Sequence, residues 1–208
     1  MLRQPGWRED ARMLLLVASL SLTVTSLAAC SPRTQAGPYR ASFRESFEAG
    51  LVGWETGADV PEDGERPGPV DWSIVVSEAQ ASDGQVSARL FLDGKHDDGT
   101  VWLVRSFNVP GDMELTVTMS FDAWSESESF NTMGKVAAYA GPRRPNQEGD
   151  FDLSQALNQR AGWKRYSYSF DVRSSADRQL WVALGITAVW ETQLTYYFDN
   201  LVMKIEAR

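Results

Sequence analysis

The chain reads as an all-β protein, a two-sheet antiparallel β-sandwich in a single domain over residues 42–208. Three observations predict it. Apolar and polar residues alternate with period two in several runs, turn-forming Gly, Pro and Asp clusters separate those runs, and only one stretch has room for helical turns. A closed barrel is the alternative arrangement for so many short strands.

The alternation is cleanest in "LTVTMSFDA", where Leu115, Val117, Met119, Phe121 and Ala123 occupy one phase and Thr116, Thr118, Ser120 and Asp122 the other. In "YSYSFDV", Tyr166, Tyr168, Phe170 and Val172 share a phase against Ser167, Ser169 and Asp171. Side chains of a strand point alternately to opposite faces, so each run predicts a half-buried strand. Further strands are expected at 42–47, 72–76, 87–92, 101–109, 135–139, 180–189 and 196–205. The turns between them read "PEDGERPGP", "SDG", "DGKHDDG", "VPGD" and "GPRRPNQEGD". Residues 151–160, "FDLSQALNQR", are the one stretch that could make a helical turn or two.

Ahead of the domain, Arg3, Arg8 and Arg12 precede the apolar run "MLLLVASLSL" and the small residues of "TVTSLAAC". A charged stretch, an apolar core of about a dozen residues and a small-residue site describe a signal peptide, 1–29. The run is too short for a membrane span of roughly 20 residues. Leu27-Ala28-Ala29-Cys30 resembles the bacterial lipoprotein box. That resemblance implies a diacylglycerol on the Cys30 sulfur, cleavage before it, and acylation of the new amino terminus. Two or more acyl chains hold a protein on a bilayer, whereas one does so weakly. Cys30 is the single cysteine, so no intramolecular disulfide competes for it. Residues 30–41, with "SPRTQAGPYR", then form a lipidated cysteine and flexible tether. The expected location is the cell envelope, membrane-anchored and facing outside the cytoplasm. Ser31, by the same resemblance, permits transport to an outer membrane.

The 208 residues carry a formal net charge of −8, and removing the arginine-bearing leader leaves the remainder more acidic still. Such a balance argues against nucleic acid as a partner and against electrostatic docking on anionic lipid.

"ESFEAGLVGW" and "YYFDNLVMKI" resemble the first and last strands of jelly-roll carbohydrate-binding modules and related galactose-binding-like sandwiches, and "SDGQVSARLFL" resembles their second-hairpin region. The resemblance implies a jelly-roll type of sandwich. It also implies that an acid of the last strand, here Asp199, helps hold a structural calcium with acids of the first, here Glu45 and Glu48. From the residues themselves, Leu201, Met203 and Ile205 share a phase with Tyr197 and Asp199. If that phase faces the core, the carboxylate must be paired, hydrogen-bonded or metal-bound. Calcium, with its six to eight oxygens, and backbone N–H donors both remain open.

Eight Trp residues invite a sugar site, because the C–H faces of pyranose rings stack on indole and phenol rings. Trp102, Trp124 and Trp181 each lie out of the best apolar phase of their strands. If those strands are neighbours, the three form an outward platform flanked by Asn108, Asp122 and Gln179. If loops or 151–160 cover them, they form a second small core. Trp54, Trp72 and Trp163 sit at strand starts, where core closure is expected, and Trp190 beside Glu191 is placed to line a loop cleft. The acidic loop around His96, the single histidine, reads as a solvated turn, since one His without Cys partners is a poor zinc signal. No serine stands in a G-x-S-x-G elbow and no glycine loop cradles phosphate. "EGDFD" lacks the last acid of the sandwich-glucanase strand signature.

The sequence thus predicts a lipid-anchored envelope protein whose domain is a noncatalytic glycan-binding module. A structural or protein-interaction lipoprotein is the alternative, and a surface glycoside hydrolase or lyase the third reading.

Overall fold

A computed structural model describes residues 38–208; the leader, Cys30 and most of the tether lie outside the described residues. Within them the chain forms β1 (Arg40–Glu45), β2 (Glu55–Asp59), β3 (Trp72–Ser77), β4 (Ser87–Gly94), β5 (Thr100–Asn108), β6 (Glu114–Ser125), β7 (Gly134–Gly141), β8 (Gly162–Arg173), β9 (Gln179–Ala188) and β10 (Thr192–Ala207). They build two antiparallel sheets. The larger runs β3-β4-β10-β6-β8, with β1 also paired to β10, and the smaller runs β2-β5-β9-β7. This is the expected two-sheet sandwich of jelly-roll type, open at its edges rather than closed into a barrel.

The alternating runs place the core as the sequence predicts. Leu115, Val117, Met119 and Phe121 of β6 are at most 1% exposed, and they meet Leu103, Val182, Leu184 and Ile186 of the smaller sheet in one cluster. Tyr166 and Tyr168 of β8 join them, with their rings stacked on Phe121 at 5.8 and 6.5 Å. Burial pushes the Tyr166 hydroxyl up to about 12. Truncating such a buried aromatic typically costs about 3–5 kcal/mol.

Two elements depart from expectation. β2 carries "ETGAD", with no apolar alternation; it is an edge strand held by its ladder to β5. Residues 151–160 form no helix. The short helical turn is a 3₁₀ turn just upstream, Glu148–Asp150. The segment spends its backbone bonds on the β7 edge instead: Ala138 N–H donates to Asp152 O, and Asp152 N–H returns the bond to Ala138 O.

β10 explains a third departure. Its first part, Thr192 to Phe198, pairs with β4, and its last part, from Leu201 onward, pairs with β1. Where the partner changes, the ladder to β6 slips between Asp199 and Val202, with Asn200 at a φ of 49°. That slip inverts the side-chain phase. Leu201, Met203 and Ile205 point to the core, whereas Tyr197 and Asp199 lie opposite Trp124 and Asp122 on the outer face. Asp199 is therefore not on the core face, although it is fully buried.

Candidate functional site

Most of the outer face of the smaller sheet is covered, with Ser106, Asn108 and Gln179 left exposed at one end. Residues 142–156 cross it from β7 to β2 and return, and Phe151 and Leu153 pack on Trp102, Val104, Ala137, Tyr139 and Ala183. Phe151 meets the Trp102 ring at 5.0 Å. Polar contacts pin this roof down. Glu148 Oε2 accepts from the hydroxyls of Thr100 at 2.6 Å and Thr187 at 2.5 Å, while Glu148 N–H donates to Asp59 at 2.7 Å. Arg143 pairs with Asp150 at 2.6 Å, and the Asn146 N–H, with that guanidinium, holds the Asp150 carboxyl below the usual carboxylate range.

Trp102 is accordingly 2% exposed, with its indole N–H unpartnered, and Trp181 is half-buried beside it with Arg144 6.0 Å over its ring. These two form the small second core and not a platform. Trp124 stands on the other sheet, so the three tryptophans do not share a face. Asn108 lies exposed at the end of β5 opposite Gln179. Trp190 is 53% exposed in the loop before β10, where it lines a shallow depression with Asp97 and Glu191.

The larger sheet's outer face carries the Ser82–Asp83 loop over Asp199 and Asp122, and beside that loop it gathers aromatics by register. Trp163 of β8 pairs with Trp124 of β6, Trp124 with Tyr197 of β10, and Tyr197 with Arg89 of β4. Paired residues share a face, so these four side chains form one row across four neighbouring strands, about 14 Å long at sheet spacing. Tyr197 meets the Trp124 ring edge-on at 5.4 Å, an arrangement the ring quadrupoles favour. Phe91, the next outward residue of β4, lies under the Arg89 guanidinium at 5.7 Å. Trp124, Trp163, Arg89 and Phe91 are all partly exposed, whereas Tyr197 between them is buried. Trp163 therefore faces outward rather than closing the core, unlike Trp54, which is buried.

Beside the row, Asp122 pairs with Arg165 at 3.0 Å and accepts from Ser82 and Asn200. Farther along the same face Thr118, Ser120, Ser167, Ser169, Val202 and Lys204 line an open groove of about 430 Å³. Trp163, Tyr197, Phe91 and Arg89 were not among the candidate site residues of the sequence. The signal for Trp163 was present, since it is out of phase with Tyr166, Tyr168 and Phe170.

The three carboxylates expected around calcium are each occupied by N–H donors. Glu45 accepts from Phe47 N–H at 3.0 Å and Trp54 Nε1–H at 3.1 Å. Glu48 accepts from Gln85 N–H and Val86 N–H at 2.8 and 2.9 Å. Asp199 accepts from Ser82, Asp83 and Asn200 N–H at 2.7, 2.9 and 2.6 Å. Burial pushes the Asp199 carboxyl above its ordinary value, against these bonds, which pull it down. Donor hydrogens aimed at the carboxylate oxygens repel a cation, and no group of three His, Cys, Asp or Glu among the described residues is arranged to hold one. The residues as placed do not fit calcium.

No family model matches the chain, and no curated protein matches it. Solved structures of low identity do. A carbohydrate-binding module from the β-sandwich superfamily is 16% identical over 79% of this chain and 73% of its own, with a TM-score of 0.46. A module solved with β-1,4-galactotriose is 12% identical over 76% and 92%, with a TM-score of 0.45. A Stig cyclase from Fischerella sp. TAU is 14% identical over 80% and 89%, with a TM-score of 0.49. Carbohydrate-binding-module sandwiches are thus among the structural neighbours, and the likeness is one of shape.

Proposed function

We propose that the protein is a noncatalytic carbohydrate-binding module, held at the cell envelope by lipid on Cys30, whose sugar site is the outer face of the larger sheet. One observation carries the reading: Trp163 and Trp124 stand side by side, partly exposed, on the outer face of the larger sheet with Tyr197 packed beside them, while most of the other sheet's outer face is roofed. Sugar rings would stack on the indole faces, and Arg89, Asp122 and Arg165 would bind hydroxyl or charged substituents. The Leu27–Cys30 box supports the anchor.

The point where the chain enters the domain lies away from the row. The chain enters the domain at Arg40, paired with Glu206 near the end of β10, whereas the row crosses β10 at Tyr197. The two points are roughly 30 Å apart along the strand.

The test is affinity electrophoresis of the 38–208 domain through a panel of polysaccharides. Retardation that disappears in Trp124→Ala and Trp163→Ala supports the reading, and undiminished retardation in both variants contradicts it. A protein-interaction role is favoured by one feature, the fully exposed Phe130 ring in the loop after β6 together with Trp190. In that case Phe130→Ser would abolish capture of a partner and leave sugar binding unchanged.

A further inference from the structure

We propose that the polysaccharide bound on this face is anionic, bearing carboxylate or sulfate groups, and that Arg89 is the residue that recognises the charge. The inference rests on the sugar-binding reading of the row and specifies the class of sugar. Arg89 continues the row directly, paired with Tyr197 across the ladder, and it is partly buried with its guanidinium 5.7 Å from the Phe91 ring centre. In a chain with an excess of acids, no carboxylate among the described residues lies within ion-pair reach of it.

The rest of the face shows the same asymmetry. Most of its strand acids are paired or covered: Asp122 by Arg165, Glu206 by Arg40, Asp171 by Arg208, Glu114 by Arg173, Asp93 by Lys95 at 3.8 Å, and Asp199 beneath Ser82 and Asp83, the latter an exposed acid itself. Its cations are in surplus, because Arg44, opposite Val202, and Lys204, at the serine-lined groove, are exposed and also lack a carboxylate partner among the described residues. In a protein of net charge −8, this face thus carries three cationic side chains, Arg89, Arg44 and Lys204, with no carboxylate partner among the described residues, and they would attract an anionic chain. A guanidinium beside aromatic rings offers a planar fork for a carboxylate or sulfate on a sugar whose C–H face lies on the neighbouring indole.

The experiment compares binding of the domain to polygalacturonate, alginate, a sulfated galactan, methyl-esterified polygalacturonate and neutral galactan, with Arg89→Gln, Arg89→Lys and Trp124→Ala as variants. Carboxylated and sulfated probes distinguish the two sources of charge, and the ester keeps the backbone while masking it. At least one anionic polymer should bind, weaken roughly tenfold or more in Arg89→Gln, weaken less in Arg89→Lys, which keeps the charge and loses the planar fork, and weaken with added salt. Thermal melts check that each variant is folded. If Arg89→Gln fails to fold, the ester comparison and the salt dependence decide. Equal binding of neutral and anionic polymers, lost in Trp124→Ala alone, overturns the anionic specificity and leaves the sugar site standing. Binding of no polysaccharide overturns both.

Discussion

The carboxylate of Asp199 accepts the backbone N–H of Ser82 at 2.7 Å, tying two residues 117 positions apart in sequence. The bond sits where β10 changes partner from β4 to β1, the point at which strand pairing leaves backbone donors unmatched. Asp83 and Asn200 N–H complete the set, so one buried side chain satisfies three donors. Replacing one acceptor oxygen by an amide, Asp199→Asn, points donor at donor. It should lower unfolding free energy by about 2–4 kcal/mol in urea titration.

Glu45, Glu48 and Asp199 do the work of capping strand junctions with N–H bonds rather than calcium bonds. Chelator should therefore leave the thermal midpoint unchanged, and a fall in midpoint that added calcium reverses would contradict this.

Acid sensitivity follows from the loop between β2 and β3. Arg66, the Glu65 N–H and Lys95 hold the buried Asp63 carboxyl below its ordinary value. A depressed carboxyl stabilises the fold above its unfolded value of 3.8, and that contribution disappears as pH falls through the lower folded value. Asp199, whose carboxyl is raised, acts oppositely: the fold gains as pH falls from its folded value towards 3.8. Asp63→Asn should flatten the acid limb below pH 3.8, and Asp199→Asn should remove the opposing slope above it, both read by chemical denaturation at stepped pH.

Trp102 and Trp124 should separate stability from binding. Trp102→Ala empties the roofed core and should cost about 3–5 kcal/mol. Trp124→Ala removes a partly exposed ring with one edge-on partner and should cost about 1 kcal/mol while abolishing sugar binding. Gly57 extends the same test. A Cβ there would meet the Trp102 indole at 2.4 Å, so Gly57→Ala should destabilise by about 1–3 kcal/mol in thermal melts.

Cys30→Ser should abolish palmitate incorporation and release the protein from the membrane fraction, with the domain's melting unchanged.

Period-two alternation made most strands legible because β6 and β8 bury one face and wet the other. β2 was hidden, since an edge strand reading "ETGAD" needs only a ladder to β5. Residues 151–160 misled by composition, because their bonds go to the β7 edge. The outward position of Trp124 was readable from phase alone. Its neighbours were not, because the Trp163–Trp124–Tyr197–Arg89 row depends on three inter-strand registers. Whether Asp199 shares the core phase of Leu201 was not readable, because the slip at Asn200 reverses phase, and only an Asn able to adopt positive φ hints at it.

The most direct test is calorimetric titration of the domain with its best-retained polysaccharide, repeated with Trp124→Ala/Trp163→Ala and with Trp181→Ala. Heat of binding lost in the first variant and kept in the second is the result expected of a site on the larger sheet. The reverse pattern would place the site on the roofed face and contradict the account.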